Sequence, residues 1–171
     1  MVRTISVREP VANALLAKGA ALVGKNWPNQ IKATQALPNV LGPIGIQVST
    51  QGKGGPSEAV RAISMRYELG RLEGSTLPLG HVVARAEVIA VVPGFRPVEI
   101  TYEEVADKLR KAHVEDVTEW WVRGWMEVFP SMKWLYVIAN VQRVVPFKYR
   151  GVMSQFPVPD NLFRPVGRNT K

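Results

Sequence analysis

A mixed α+β fold follows from three observations. β-branched runs at the start, middle and end of the chain carry the two-residue period of strands, stretches with helical spacing lie between them, and the alternation is too irregular for a repeated βαβ series. The arrangement that suits this order is a small, partly closed β-barrel decorated with helices.

The elements read as follows. Thr4 to Val7 is a short strand, and Pro10 suits the first turn of a helix carrying Val11, Ala14, Leu15 and Lys18, which Gly19 can stop. Leu22 to Trp27 reads as extended. Gly42 to Ser49 is a strand with Ile44, Ile46 and Val48 on one face and Gly45 and Gln47 on the other. Residues 51–57 form a glycine-rich turn without the Walker spacing, and Ser57 caps a helix to about Leu72. Gly80 to Val92 is the longest β-branched run. Thr101-Tyr102-Glu103-Glu104 is a capping box for a helix to Ala112, and Asp116 caps a second helix to Phe129. On that helix Trp121 and Trp125 share a packing face, with Val117 and Val128 nearby, while Trp120 lies on another face. Trp134 to Val145 is a long strand, Pro146 to Gly151 a turn, and Val152 to Val158 a last strand. Residues 1–160 are read as one domain and 161–171 as a polar, basic, flexible tail.

The 171 residues include no cysteine, which excludes disulfides, Cys-containing zinc sites and thiol nucleophiles. His81 and His113 are too few for a three-histidine metal site. No metal or cofactor is expected. No stretch resembles a signal peptide or a membrane span, so a soluble, intracellular protein is expected, without a membrane partner. Net charge is +8 and is segregated: residues 1–98 carry 11 Lys/Arg against 5 acids, residues 99–130 carry 4 against 8, and residues 131–171 carry 7 against 1. An acidic helical stretch between two basic portions favours a directed basic face over uniform solubilising charge.

Four landmarks in order resemble the ASCH domain (activating signal cointegrator homology), a branch of the PUA-like barrels. Ser6-Val7-Arg8-Glu9-Pro10 is similar to that family's opening strand and helix start. Gly19 to Trp27 stands in the place of its G-x-K-x-x-E-x-R segment and following Trp. Leu79-Gly80-His81-Val82-Val83-Ala84 resembles its L-G-x-[IVL]-[IVL]-G strand entry, and Trp134 to Pro159 its terminal strand–turn–strand pattern. The chain departs from the family where members that hydrolyse N-acylated cytidine place a Lys and a Thr: those positions are Ala21 and Gly24, neither of which can supply an amine or a hydroxyl, and the Arg position is Asn26. The resemblance therefore implies a pocket without the family's catalytic set. An enzyme, either a hydrolase of that type or a ribonuclease, is the alternative to a binding module, and a protein-interaction domain using the aromatic helix is a third reading.

By the same resemblance Arg8 lies near the cleft, where it would grip phosphate or a base edge; the other reading is an ion pair, with Glu87 as the candidate partner. Lys25, Asn26 and Trp27 occupy the pocket-lining place: Lys25 for phosphate, Asn26 for a base edge, and Trp27 either stacked on a base or part of the core. Lys148, Tyr149 and Arg150 form a basic–aromatic–basic turn suited to a phosphate and a stacked base. Arg164 and Arg168, with Lys171, make a basic end that adds sequence-blind affinity. Residues His113, Glu115 and Asp116 read as capping charges rather than a metal cluster. The partner expected is nucleic acid, RNA ahead of DNA because PUA-like barrels are often RNA readers.

Overall fold

A computed structural model describes residues 1–8, 11–25, 40–49, 62, 63, 66, 77–93, 99–129, 134–151 and 155–167. Strands β1 (Val2–Val7), β2 (Ala21–Lys25), β3 (Gly42–Val48), β4 (His81–Pro93), β5 (Trp134–Lys148) and β6 (Gln155–Val158) form one mixed sheet in the order β2-β5-β4-β3-β1-β6. Among the described residues three helices accompany it: α1 (Val11–Lys18), α2 (Glu99–Lys111) and α3 (Glu119–Val128). The fold is α+β. The sheet is not closed into a barrel, since β2 and β6 remain its edges.

Alternation sorts the side chains onto two faces. Ile5 and Val7 of β1, with Ile44, Ile46 and Val48 of β3, point into the main core, which all three helices cover. Val2, Val82, Val144, Phe156, Val158 and Phe163 build a smaller core of their own. The long β4–β5 ladder shifts register at three places, and such bulges bend and twist a sheet. Pro146, expected in a turn, instead lies within β5. It falls in the shift where Val82 faces Phe147 but Ala84 faces Arg143, so its missing N–H interrupts a ladder that is already broken.

Other boundaries also move. Helix α2 begins at Glu99, two residues before the expected capping box, a displacement typical of helix ends. The cap of α3 is Thr118, not Asp116: Thr118 Oγ1 accepts from Trp121 N at 3.2 Å, while Asp116 sits in a turn at φ 56°. The paired tryptophans do share a buried face, with ring centroids 5.9 Å apart in an edge contact. Each contributes roughly 4–6 kcal/mol of hydrophobic burial, partly offset because both indole N–H groups are buried without a partner among the described residues.

The segment after 160, read as a flexible tail, is held to the fold through Val166: Phe163 is buried, Arg164 to Gly167 are exposed, and residues 168–171 lie outside the described residues. A 3-10 turn, Asp160–Leu162, ties to the N-terminal ammonium through Asp160 at 2.8 Å, and Phe163 enters the smaller core. Beyond it Val145 N donates to Arg164 O at 2.8 Å and Val166 N to Arg143 O at 3.2 Å, which lays this segment along β5. The helix expected over 57–72 lies outside the described residues except at 62, 63 and 66, which are helical. No helix among the described residues is long and apolar enough to cross a membrane.

A candidate basic cleft at one end of the sheet

Gln47 is the centre of the site. It is the last polar residue of β3, 4% exposed, and both amide hydrogens and its oxygen are engaged. Its Nε2 donates to Tyr149 O at 2.6 Å and to Gly80 O at 3.1 Å, and Ser6 Oγ donates to its Oε1 at 2.8 Å. One donor pair and one acceptor thus fix the amide's orientation. Gly80 adopts φ 74°, a conformation glycine takes without steric cost, and its carbonyl also receives Tyr149 N at 3.2 Å. The end of β1, the end of β3, the entry to β4 and the exit from β5 are therefore knotted around one side chain.

Lys25, the last residue of β2, joins this knot from the far edge of the sheet. Its Nζ donates to Ser6 O at 2.7 Å, so the bent sheet brings β2 against β1. Lys25, expected to line a pocket and hold phosphate, is half-buried. Burial, and then the positive charge of Arg8, push its pKa down to about 8. Tyr136 is the other strongly shifted group: burial pushes its phenol up to about 12, with Arg3 opposing, so it stays neutral in the core.

The remaining sequence-predicted residues divide. Arg8 is exposed and within electrostatic reach of Lys25. Glu87 is not its partner by position, because Glu87 faces Pro43 while Arg8 follows the pair Val7–Val48, five residues or about 16 Å along β3. Glu87 instead lies 3.5 Å from the Asn140 amide nitrogen. Lys148 and Arg150 are exposed on either side of Tyr149. Tyr149 itself is committed to the fold: its ring stacks on Phe156 at 6.0 Å and 9°, and its hydroxyl donates to Pro157 O at 3.2 Å. One ring face is thus engaged, in offset contact with Phe156. Arg164 is exposed opposite Val145, about 10 Å along the strand from Lys148. Asn26, Trp27 and Arg168 lie outside the described residues. Trp120 is 52% exposed, with the Arg66 guanidinium 5.5 Å from its ring centre. His113 and Asp116 take left-handed backbone in a turn, and no group of three His, Asp or Glu placed for a metal occurs among the described residues.

Sequence reasoning passed over Ser6 and Gln47. The signal was present: a lone glutamine closes the run Pro43-Ile44-Gly45-Ile46-Gln47-Val48, where a buried amide demands partners.

Gly151 sets how closely the 148–150 turn approaches. A Cβ there would stand 2.6 Å from Gln47 Oε1 and 2.6 Å from the Phe156 ring. Gly151→Ala is expected to cost about 1–3 kcal/mol by overpacking, read as a lower denaturant midpoint.

Compared with known proteins, the chain matches no family model and no curated sequence.

Proposed function

We propose that this chain is a nucleic-acid-binding module of the ASCH type, intracellular, with RNA preferred to DNA and a PUA-like barrel as the closest description of its bent, open sheet. The observation that carries the reading is the knot at Gln47. It gathers basic segments that are far apart in sequence: Arg8 after β1, Lys25 at the end of β2, and Lys148 and Arg150 around Tyr149. Cations so placed neutralise backbone phosphates, and the net charge of +8 steers a polyanion towards them.

The test is a binding panel of single- and double-stranded RNA and DNA at about 50 and 200 mM salt. Affinity for single-stranded RNA is expected to fall at least about tenfold over that range, as counterion release requires. Absent or salt-insensitive binding to every nucleic acid would remove the proposal.

One observation favours a second reading, hydrolysis of a modified nucleoside or of RNA. Lys25, held at about 8, is partly a neutral amine just above neutral pH and could act as nucleophile or base. Release of free nucleoside or cleaved ends in the same panel, lost in Lys25→Met, would establish it.

A further inference from the structure

Resting on the nucleic-acid reading, we infer that a single strand is held at a second place: it crosses the short ladder between β5 and the segment 164–166, with its sugars and bases on Val145 and Val166 and two phosphates on Arg143 and Arg164. Val145 N donates to Arg164 O at 2.8 Å and Val166 N to Arg143 O at 3.2 Å, so Val145 stands opposite Arg164 and Val166 opposite Arg143. Cross-strand partners share a face. That face is turned away from the smaller core, because the intervening Val144 and the preceding Phe163 are the residues that enter it. The two arginines therefore occupy one diagonal of the ladder and the two valines the other. All four are exposed, Val145 by 51% and Val166 by 40%.

The patch carries positive charge that the described residues leave uncompensated. Neither arginine has a carboxylate partner among them; Arg164 has no side-chain polar contact there, and Arg143 has one long contact, Nη2 to Leu16 O at 3.5 Å. Asp160, the one acid in residues 131–171, is tied to the N-terminal ammonium at 2.8 Å. An arginine stem is several atoms longer than a valine side chain, so the guanidiniums stand above an apolar floor rather than level with it. A flat anionic surface such as a membrane would meet the guanidiniums first and leave the valines bare. A narrow polyanion settles between them: each fork takes phosphate oxygens two at a time, and the sugar or base between two phosphates covers a valine. A single strand offers its phosphates and its unpaired bases together, whereas a duplex has its bases stacked away. Lys148, exposed about 10 Å along β5 from Val145, leads from this patch to the cleft.

The experiment follows binding of a single-stranded RNA of about ten nucleotides to the whole chain across a salt series. Arg143→Ala with Arg164→Ala is expected to weaken binding at least about tenfold and to flatten the slope of log affinity against log salt by about 1.4, since each single-strand phosphate contact contributes about 0.7. Lys108→Ala with Lys111→Ala removes the same charge from exposed positions on α2 and should change affinity less than about twofold. Val145→Ser with Val166→Ser should weaken binding about threefold with the slope unchanged, the mark of a lost apolar contact. Circular dichroism of each variant confirms that it is folded. An arginine pair that behaves like the α2 pair overturns the patch and leaves the cleft reading, which stands on other residues, intact. Wild-type binding to vesicles containing anionic lipid that the arginine pair loses, with RNA binding unchanged, overturns the strand as occupant in favour of a membrane surface. No RNA binding by the wild type overturns both readings.

Discussion

Gln47→Leu is expected to lower folding stability by about 2–4 kcal/mol, because the leucine fills the space but makes none of the three hydrogen bonds. The carbonyls of Gly80 and Tyr149 lose the donors that reach them at 3.1 and 2.6 Å, and the Ser6 hydroxyl loses its acceptor at 2.8 Å. A buried polar group left unmade costs about 1–3 kcal/mol; the Tyr149 carbonyl and the Ser6 hydroxyl are orphaned, less what rotation of Ser6 recovers, while the Gly80 carbonyl keeps Tyr149 N at 3.2 Å. Denaturant unfolding checks it: the midpoint should fall with an unchanged slope.

Ser6→Ala separates the knot from simple packing. It leaves both carbonyls satisfied and deprives only Gln47 Oε1 of its donor, so it should cost about 1–2 kcal/mol. The double variant should then cost little more than Gln47→Leu alone, since the two residues share one network. A loss below about 1 kcal/mol for Gln47→Leu would show that the amide does not hold the strand ends together. The same variant loosens the turn carrying Lys148 and Arg150, so nucleic-acid affinity should weaken even at temperatures where the chain remains folded.

What the sequence made legible, and what it did not, follows from the range of the forces involved. Period-two runs found β1, β3 and β4 to within one or two residues, because alternation expresses burial on one face and needs no knowledge of partners. Gly19 was readable as a helix stop, since φ 79° there favours glycine, and the Trp121–Trp125 face since i, i+4 spacing is a local property. Pro146 was misplaced because a proline reads as a turn unless a bulge in a distant partner strand is known. The place of Phe163 was hidden for a like reason: it is one aromatic among polar residues, and only the smaller core formed by four other segments explains its burial.

The candidate site was legible as charge but not as geometry. Arg8, Lys25 and the 148–150 turn were nominated by basicity and by resemblance, yet nothing local says that Lys25 is recessed or that Tyr149 turns a ring face to Phe156. Both facts depend on the bend in β4 and β5, which comes from long-range register shifts. Ser6 and Gln47, by contrast, carry no charge and attract no attention until their partners at the ends of other strands are in place.

Stability measured against pH should expose the recessed lysine directly. A lysine at 10.5 when unfolded and about 8 when folded binds fewer protons in the native chain between those values. Stability therefore rises with pH across that window; the penalty of burying the ammonium beside Arg8 is fully present below about pH 8 and is relieved by pH 10.5. The whole shift corresponds to about 3 kcal/mol, and between pH 7 and 10 the wild type should gain roughly 2–3 kcal/mol relative to Lys25→Met. Taking the difference cancels the other alkaline groups, Tyr136 included, because both proteins carry them. It also cancels the pH-independent cost of leaving Ser6 O without its donor. Urea midpoints at the two pH values supply the number. A difference that does not change with pH would mean that Lys25 keeps an ordinary pKa and stands in solvent.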